Sequence, residues 1–372
     1  MRNSLIIMSQ QSLPSMPSVI SLGSINVDRI HHVSADALKS LTSTHRWFPD
    51  RGETVIHDVE SLSSSLPTPP DMTQYGGKGA NQAIAATNAG AQTTLLGAVG
   101  SDKEGTDVCE HLNESDVNVD NVQSTAMPTG TADIFIDPEG DNRIIVGPGA
   151  NKAIDIDYID THFERIVASD CLLIQNEIPP DPVTHLLNRL VMSDNSPIVF
   201  CDPAPASGAD QLLRSDAIDY VTPNETEYAA LKSALSEYDG VLIRKAGDDD
   251  VIVEIPDCLT LSVPRITPVD VDSDRARIIT DTDADAEHEG QSTTKPPEST
   301  QLSITPPAVE PVDTTGAGDV LSGYLAARVP LEESLLEAVE KAIIAGSIST
   351  QHAGAQKGIP TISTVRKFQS NN

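Results

Sequence analysis

Short apolar runs rich in Val, Ile and Leu recur along this chain, each closed by a glycine or a polar residue, and stretches with apolar positions at helical spacing lie between them. Ser18-Val19-Ile20-Ser21-Leu22-Gly23-Ser24-Ile25 reads as a buried strand ending at a glycine-serine turn, with Asn26 and Asp28 just past its end. Further strands are predicted at 93–98, 131–136, 143–146, 171–175, 198–201, 240–244 and 251–255. Helices are predicted from Gly79 through Ala89, where Gly90 stops the turn, and over 182–192, 225–236, 318–327 and 331–350. Strand and helix thus alternate in the βαβα order of an α/β fold with a mostly parallel sheet.

Two stretches leave this pattern. The run from Leu62 to Pro70 is Ser- and Pro-rich turn and linker chemistry. Residues 262–305 carry eight acidic side chains between Asp270 and Glu289 and then Ser, Thr and Pro, which predicts a disordered insertion. Residues 1–17 read as a frayed tail whose apolar run, Leu5 to Met8, is too short for a signal segment or a membrane span. One main domain over 18–365, followed by a tail at 366–372, accommodates the 372 residues.

Charge narrows the partners. With 55 acidic against 24 basic residues, the formal net charge is −31, which argues against nucleic acid and against anionic membranes. Acidic excess over most segments, with aromatics at 3%, predicts a halophilic adaptation: a chain that stays soluble where salt screens its self-repulsion. Cys109, Cys171, Cys201 and Cys258 are widely spaced with no CxxC, so free thiols in a reducing cytoplasmic setting are expected rather than a zinc site or disulfide framework.

The candidate chemistry centres on Asp313-Thr314-Thr315-Gly316-Ala317-Gly318-Asp319, which runs directly into a predicted helix. Glycines let backbone approach an anion, and the free N–H groups at a helix start can hold the charge that migrates in phosphoryl transfer. Asp319 would be the base and the amides of Gly316, Ala317 and Gly318 the anion hole. An acidic residue in a helix's first turn is also common without any such role, so the turn alone leaves both readings open. Ligands of a parallel sheet gather beyond the carboxyl ends of its strands, where Asn26, Asp28, Glu177, Asp202, Asn224, Glu227 and Gly247 fall. Together with Gly76-Gly77-Lys78-Gly79-Ala80-Asn81 they make a crevice rich in neutral and acidic hydrogen-bonding groups and poor in cations, a lining suited to a polyol. Each has a plainer alternative: Asn26 and Asp28 as turn formers, Lys78 as a surface lysine, Asn81 as a helix cap, Glu177 as a loop charge and Glu227 as a solvent-facing first-turn charge.

These motifs together resemble the ribokinase-like carbohydrate kinases, also called the phosphofructokinase B family. The matching elements stand in the family's order: Gly23-Ser24-Ile25-Asn26-Val27-Asp28, Gly52-Glu53-Thr54, Gly76 to Ala83, Gly149-Ala150-Asn151, Asn176-Glu177, Asp202 to Ala206, Thr222 to Glu227, and Asp313 to Asp319. The resemblance implies a three-layer α/β/α sandwich with a small β-sheet lid, drawn from about 27–75 and 128–148, that closes over sugar and pairs with a second subunit's lid in a homodimer. It implies ATP-dependent phosphorylation of D-ribose at its 5-hydroxyl. A nucleoside, ribose 1-phosphate, deoxyribose or another sugar are the alternative acceptors, and a non-catalytic sugar sensor is a reading of a different class. Sugar ligands would be Asn26, Asp28, Gly77, Lys78, Asn81 and Glu177, with Asp319 as base. Asn224 and Glu227 would stand near the phosphates and their Mg2+ water network, with Lys245, Gly247 and Gly318 on the nucleotide. An activating K+ would be held by Asp313 and by backbone around Thr315, Ile348, Gly354 and Gly358. The chain departs from the family at Lys245-Ala246-Gly247-Asp248-Asp249-Asp250, where aspartates replace small residues near the expected phosphates, and at Gly358, where relatives often carry a serine.

Overall fold

The computed structural model describes residues 16–51, 54–56, 70–139, 141–256, 276–279, 299–331 and 334–371. Its strands are β1 (Ser18–Leu22), β2 (Asn26–His32), β3 (Thr54–Ile56), β4 (Met72–Gly76), β5 (Gln92–Leu96), β6 (Ala98–Gly100), β7 (Gln123–Thr125) and β8 (Gly130–Ile136). Then follow β9 (Asn142–Gly147), β10 (Cys171–Gln175), β11 (Ile198–Asp202), β12 (Tyr220–Val221), β13 (Val241–Arg244), β14 (Val251–Pro256), β15 (Ala276–Ile279) and β16 (Ser299–Ile304). The central sheet has the order β15-β16-β14-β13-β12-β11-β10-β1-β5, parallel from β5 to β13 and antiparallel beyond. Parallel strands covered on both faces must be apolar on both, which is why Cys171-Leu172-Leu173-Ile174 is an unbroken run, buried throughout.

Alternate residues of those strands enter two different cores. Val19, Leu173, Phe200, Val241 and Ile243 face one layer with residues of the Lys78–Asn88, Ala317–Arg328 and Leu335–Ser349 helices. Ile20, Leu22, Leu172, Ile174 and Val199 face the other, with residues of the Ile156–Val167, Pro180–Val191 and Glu225–Leu235 helices. The architecture is therefore a three-layer α/β/α sandwich with a mostly parallel central sheet. A separate five-stranded sheet, ordered β3-β9-β8-β2-β4, carries its own small cluster of Leu41, Phe48, Phe135 and Ile145. Among the described residues, no helix is long and apolar enough to cross a membrane.

Three expectations are corrected. The chain leaves the central sheet at Gly23 and re-enters extended structure at once, so Asn26 and Asp28 are residues of β2 rather than turn formers. The span 262–305 contains β15 and β16, and β16 pairs with β14 from Val251↔Ile304 to Pro256↔Ser299. Leu302 and Ile304, each 1% exposed, give this strand an inward face within its polar surroundings. Within the supposed tail, the Ile362–Asn371 helix continues to Asn371, anchored by the fully buried Val365. The predicted linker at 62–70, apart from Pro70, lies outside the described residues, as do 257–275, 280–298, Gly52 and Glu53.

Candidate active site

Two helices of small residues bring the central groups together. Gly323 lies so close to the neighbouring helix that a Cβ there would stand 2.5 Å from the Gln82 carbonyl and 2.6 Å from Ala85 Cβ. Ala83, Ala85, Ala86, Ala326 and Ala327 are all fully buried around that crossing, so only small side chains allow the approach. Its consequence is that the first turn of Lys78–Asn88 lies against the first turn of Ala317–Arg328. Asn81 Nδ2 donates to Asp319 Oδ2 at 2.9 Å, Gln82 Nε2 to Asp319 Oδ1 at 3.1 Å, and Lys78 Nζ reaches the same Oδ1 at 3.5 Å. Asp319 is 4% exposed.

The turn that delivers Asp319 needs glycine at its head. Gly316 caps the helix at φ +78°, a left-handed conformation, and its missing Cβ would stand 2.9 Å from Ala355 Cβ. Ala317 N–H bonds back to Thr314 O at 3.3 Å, while Gly318 and Asp319 follow in the first turn, whose amides have no partner one turn earlier in the helix. Beside this turn lies a cation: a Cβ on Gly318 would stand 3.1 Å from Lys245 Nζ. An ammonium set against the positive end of a helix is unfavourable unless an anion accompanies it. Asp202, 1% exposed, supplies the countercharge with Lys245 Nζ at 3.1 Å and Lys78 Nζ at 3.4 Å. Burial works against its ionised form, but the two lysines, Lys245 first, hold its carboxyl below the usual range.

Polar groups of the crevice are fixed by their neighbours. Asn151 donates to Asn26 Oδ1 at 2.8 Å while exchanging bonds with Ile25 N and Ile25 O, which leaves the Asn26 NH2 group facing away from it. Glu177 accepts from the Ser24 hydroxyl and from Lys78 N–H at 3.3 Å, tying the turn after β1 to the first residue of the Lys78–Asn88 helix. Burial raises the Glu177 carboxyl above its ordinary value. Asp28 is pushed up to about 7, by burial first and then by the charges of Glu177, Asp319 and Asp133. For Lys78, burial would lower the ammonium, but Asp202, Asp319 and Glu177 outweigh it and keep Lys78 charged. Lys78 is therefore a member of this network, not a free surface lysine.

Asn224 and Glu227 behave differently. They form a reciprocal capping box at the start of Glu225–Leu235: Asn224 Oδ1 accepts from Glu227 N at 2.8 Å, and Glu227 accepts from Asn224 N at 2.8 Å and from Asn224 Nδ2 at 2.9 Å. Glu227 is 9% exposed, so the solvent-facing alternative fails for it. Both of its oxygens are taken by Asn224, and a hydrated divalent ion would have to use their remaining lone pairs. Gly247 occupies an open turn at φ +65°. Asp250 accepts from the hydroxyls of Ser303 and Thr305 and pairs with Arg277 at 3.6 Å, whereas Lys245 pairs with Asp202.

Asp313 joins two loops: its oxygens accept from Thr315 N at 2.9 Å and from Gly354 N at 2.8 Å. Those two amide bonds hold its carboxyl below the usual range against the opposing effect of burial. The oxygen donors suit a hard cation such as K+. Ile348 O, however, already accepts from Gln351 N at 3.2 Å at the end of its helix, and Gly358 lies against Ser349 O. Gln82, Gln175, Asn151 and Gln356 were missed as site residues. Gln82 and Asn151 sit inside matched motifs, whereas nothing in the sequence singles out Gln175 or Gln356.

A doubly wound sheet with a carboxylate on a glycine-capped helix, a neighbouring ammonium and a crevice of amides and carboxylates defines a phosphotransferase acting on a hydroxylated small molecule. Residues 54–253 and 290–362 match the model of the pfkB family carbohydrate kinases, and the chain belongs to that family. It is similar to ribokinase of Bacillus subtilis (32% identical, covering 95% of this chain and 100% of that one) and of Lactococcus lactis (31%, 94% and 96%). The solved structure of Arabidopsis thaliana ribokinase complexed with ribose and ATP shares the fold, with a TM-score of 0.67 at 24% identity over 95% of this chain and 98% of that chain. The protein is an ATP-dependent carbohydrate kinase.

Proposed function

We propose that this kinase transfers the γ-phosphoryl group of ATP to the 5-hydroxyl of D-ribose. The observation that carries the reading is the buried Asp319 carboxylate, held by Asn81 and Gln82 at the head of the glycine-capped helix, with Lys245 on its nucleotide side and Asn26, Asp28 and Glu177 on the crevice side. The sugar hydroxyls bond to Asn26, Asp28, Lys78, Asn81, Glu177 and the Gly77 backbone. Asp319 accepts the proton of the attacking hydroxyl as the O–P bond forms. Lys245 and the amides of Gly316, Ala317 and Gly318 hold the oxygens of the transferred group. Mg2+, when bound with the nucleotide, would neutralise phosphate charge, and Asn224 and Glu227 would hold its waters. K+ beside Asp313 and Thr315 would add positive charge behind the anion-binding turn. The five-stranded sheet is the proposed lid over the sugar and, with Ile56 and Met72 exposed on its two edge strands, the proposed contact between two copies.

A phosphorylated sugar would need a free cation in the crevice, and the two candidates are already engaged. Arg143 pairs with Asp137 at 3.2 Å, and Lys78 with Asp202 and Asp319. That favours a neutral acceptor. The test is coupled ADP release at high KCl with D-ribose, 2-deoxyribose, ribose 1-phosphate, adenosine and fructose 1-phosphate. Strong preference for ribose is expected. Preference for a phosphorylated sugar or a nucleoside would overturn the substrate while leaving the fold and the base in place.

A further inference from the structure

Both oxygens of Asp319 are held by carboxamides that are themselves held. On one side Asn81 donates to Oδ2, while its own Oδ1 accepts from Gln356 Nε2 at 2.8 Å. On the other, Gln82 Nε2 lies 3.1 Å from Asp319 Oδ1 and 3.1 Å from Asp202 Oδ2, and Gln82 Oε1 accepts from Gln175 Nε2 at 2.6 Å. Gln82 and Gln175 are both 0% exposed. A carboxamide presents either its oxygen or its NH2 group, and its neighbours decide which. Here there is one answer. A flipped Gln82 would set its oxygen against two carboxylates, and Gln175, whose own Oε1 has no partner among the described residues, follows by giving its NH2 group to Gln82 Oε1.

Asp202 Oδ2 and Asp319 Oδ1 are bridged twice, by the Gln82 amide and by Lys78 Nζ at 3.4 and 3.5 Å. Like charges this close oppose each other's ionisation unless donors lie between them. The two bridges differ in one respect: the Lys78 side chain is 26% exposed and faces the crevice, whereas Gln82 reaches no open space. When substrate engages Lys78, Gln82 is the bridge that stays. We infer that Gln82, oriented by the two carboxylates and seated by the Gln175 donor, is a positioning residue for phosphoryl transfer: it aims the Asp319 carboxylate and holds it beside Asp202 without touching substrate. This rests on the reading of Asp319 as the base.

The test is steady-state kinetics across pH on Gln82→Glu, which keeps the shape but replaces both donors with a further carboxylate, and on Gln175→Leu, which removes only the donor that seats Gln82 Oε1. For Gln82→Glu, kcat should fall about 100-fold through misplacement of the base. Its acid limb should move up by about one pH unit. KM for ribose should stay within about threefold of the parent, since Gln82 binds no substrate. Gln175→Leu should lose about tenfold in kcat, again with KM held. Asp319→Asn is measured alongside. If Asp319→Asn loses turnover while a folded Gln82→Glu, or Gln175→Leu if the first does not fold, keeps the parental kcat and acid limb, the positioning role is overturned and the base stands. If Asp319→Asn keeps parental turnover, both fall.

Discussion

The two halves of the crevice are organised in opposite ways. On the proposed sugar side, Asn26, Glu177, Asn81 and Asp319 are each oriented by a neighbour that belongs to the scaffold: the buried Asn151, Ser24 and Gln82 and the half-buried Gln356. On the proposed nucleotide side the polar groups satisfy one another, Lys245 with Asp202 and Asn224 with Glu227. The first half is set before any ligand arrives, so its hydrogen bonds cost little reorganisation. In the second, the proposed phosphate contact of Lys245 would have to compete with Asp202.

Breaking the charge pair should have the larger effect. Lys245→Met should lower kcat/KM for ATP by about 100-fold while ribose affinity holds, read from ADP release at varied ATP. Equal losses for both substrates would place Lys245 in the scaffold instead. Gly316→Ala forces a Cβ into a left-handed position against Ala355 and should cost about 1–3 kcal/mol of stability, seen as a lower Tm. Asn224→Ala removes half of the capping box and should cost about 1 kcal/mol by denaturant titration. If it instead abolished nucleotide binding with stability unchanged, the cap would be the lesser of its roles.

Asp28 sharpens the sugar side. Its carboxyl is raised from 3.8 to about 7, so the folded protein favours the protonated form. The stability this contributes is complete below about 3.8 and is lost as pH rises through about 7. Asp28→Asn removes the titration, and its Tm relative to the parent should therefore improve from about pH 4 to about pH 7 and level off above. A pH-independent difference would mean that Asp28 is ordinarily ionised in the fold.

Legibility in the sequence followed the same division. Parallel strands such as Cys171–Gln175 were readable at both ends, because burial on two faces leaves an unbroken apolar run. β2 was not: Asn-Val-Asp-Arg-Ile-His-His carries site residues on one side and the buried His31–Asp133 pair on the other, and neither obeys a simple alternation. β16 was hidden because its inward Leu302 and Ile304 alternate with Ser303, itself buried by bonding to Asp250. Asp319 and the crevice residues were readable as motifs. The amides that hold them were not, since Gln82 meets Gln175 across 93 positions and Asn81 meets Gln356 across 275, pairings of a helix with a strand end and a turn that only the fold creates.

The most direct test of the account is Asp319→Asn, an isosteric change that removes the proton acceptor. ADP release with ribose should fall about 1,000-fold or more, while calorimetry shows ribose still binding with affinity near that of the parent. Turnover near the parental rate would contradict the assignment of Asp319 as the base, and with it the reading of the glycine-capped helix as the site of transfer.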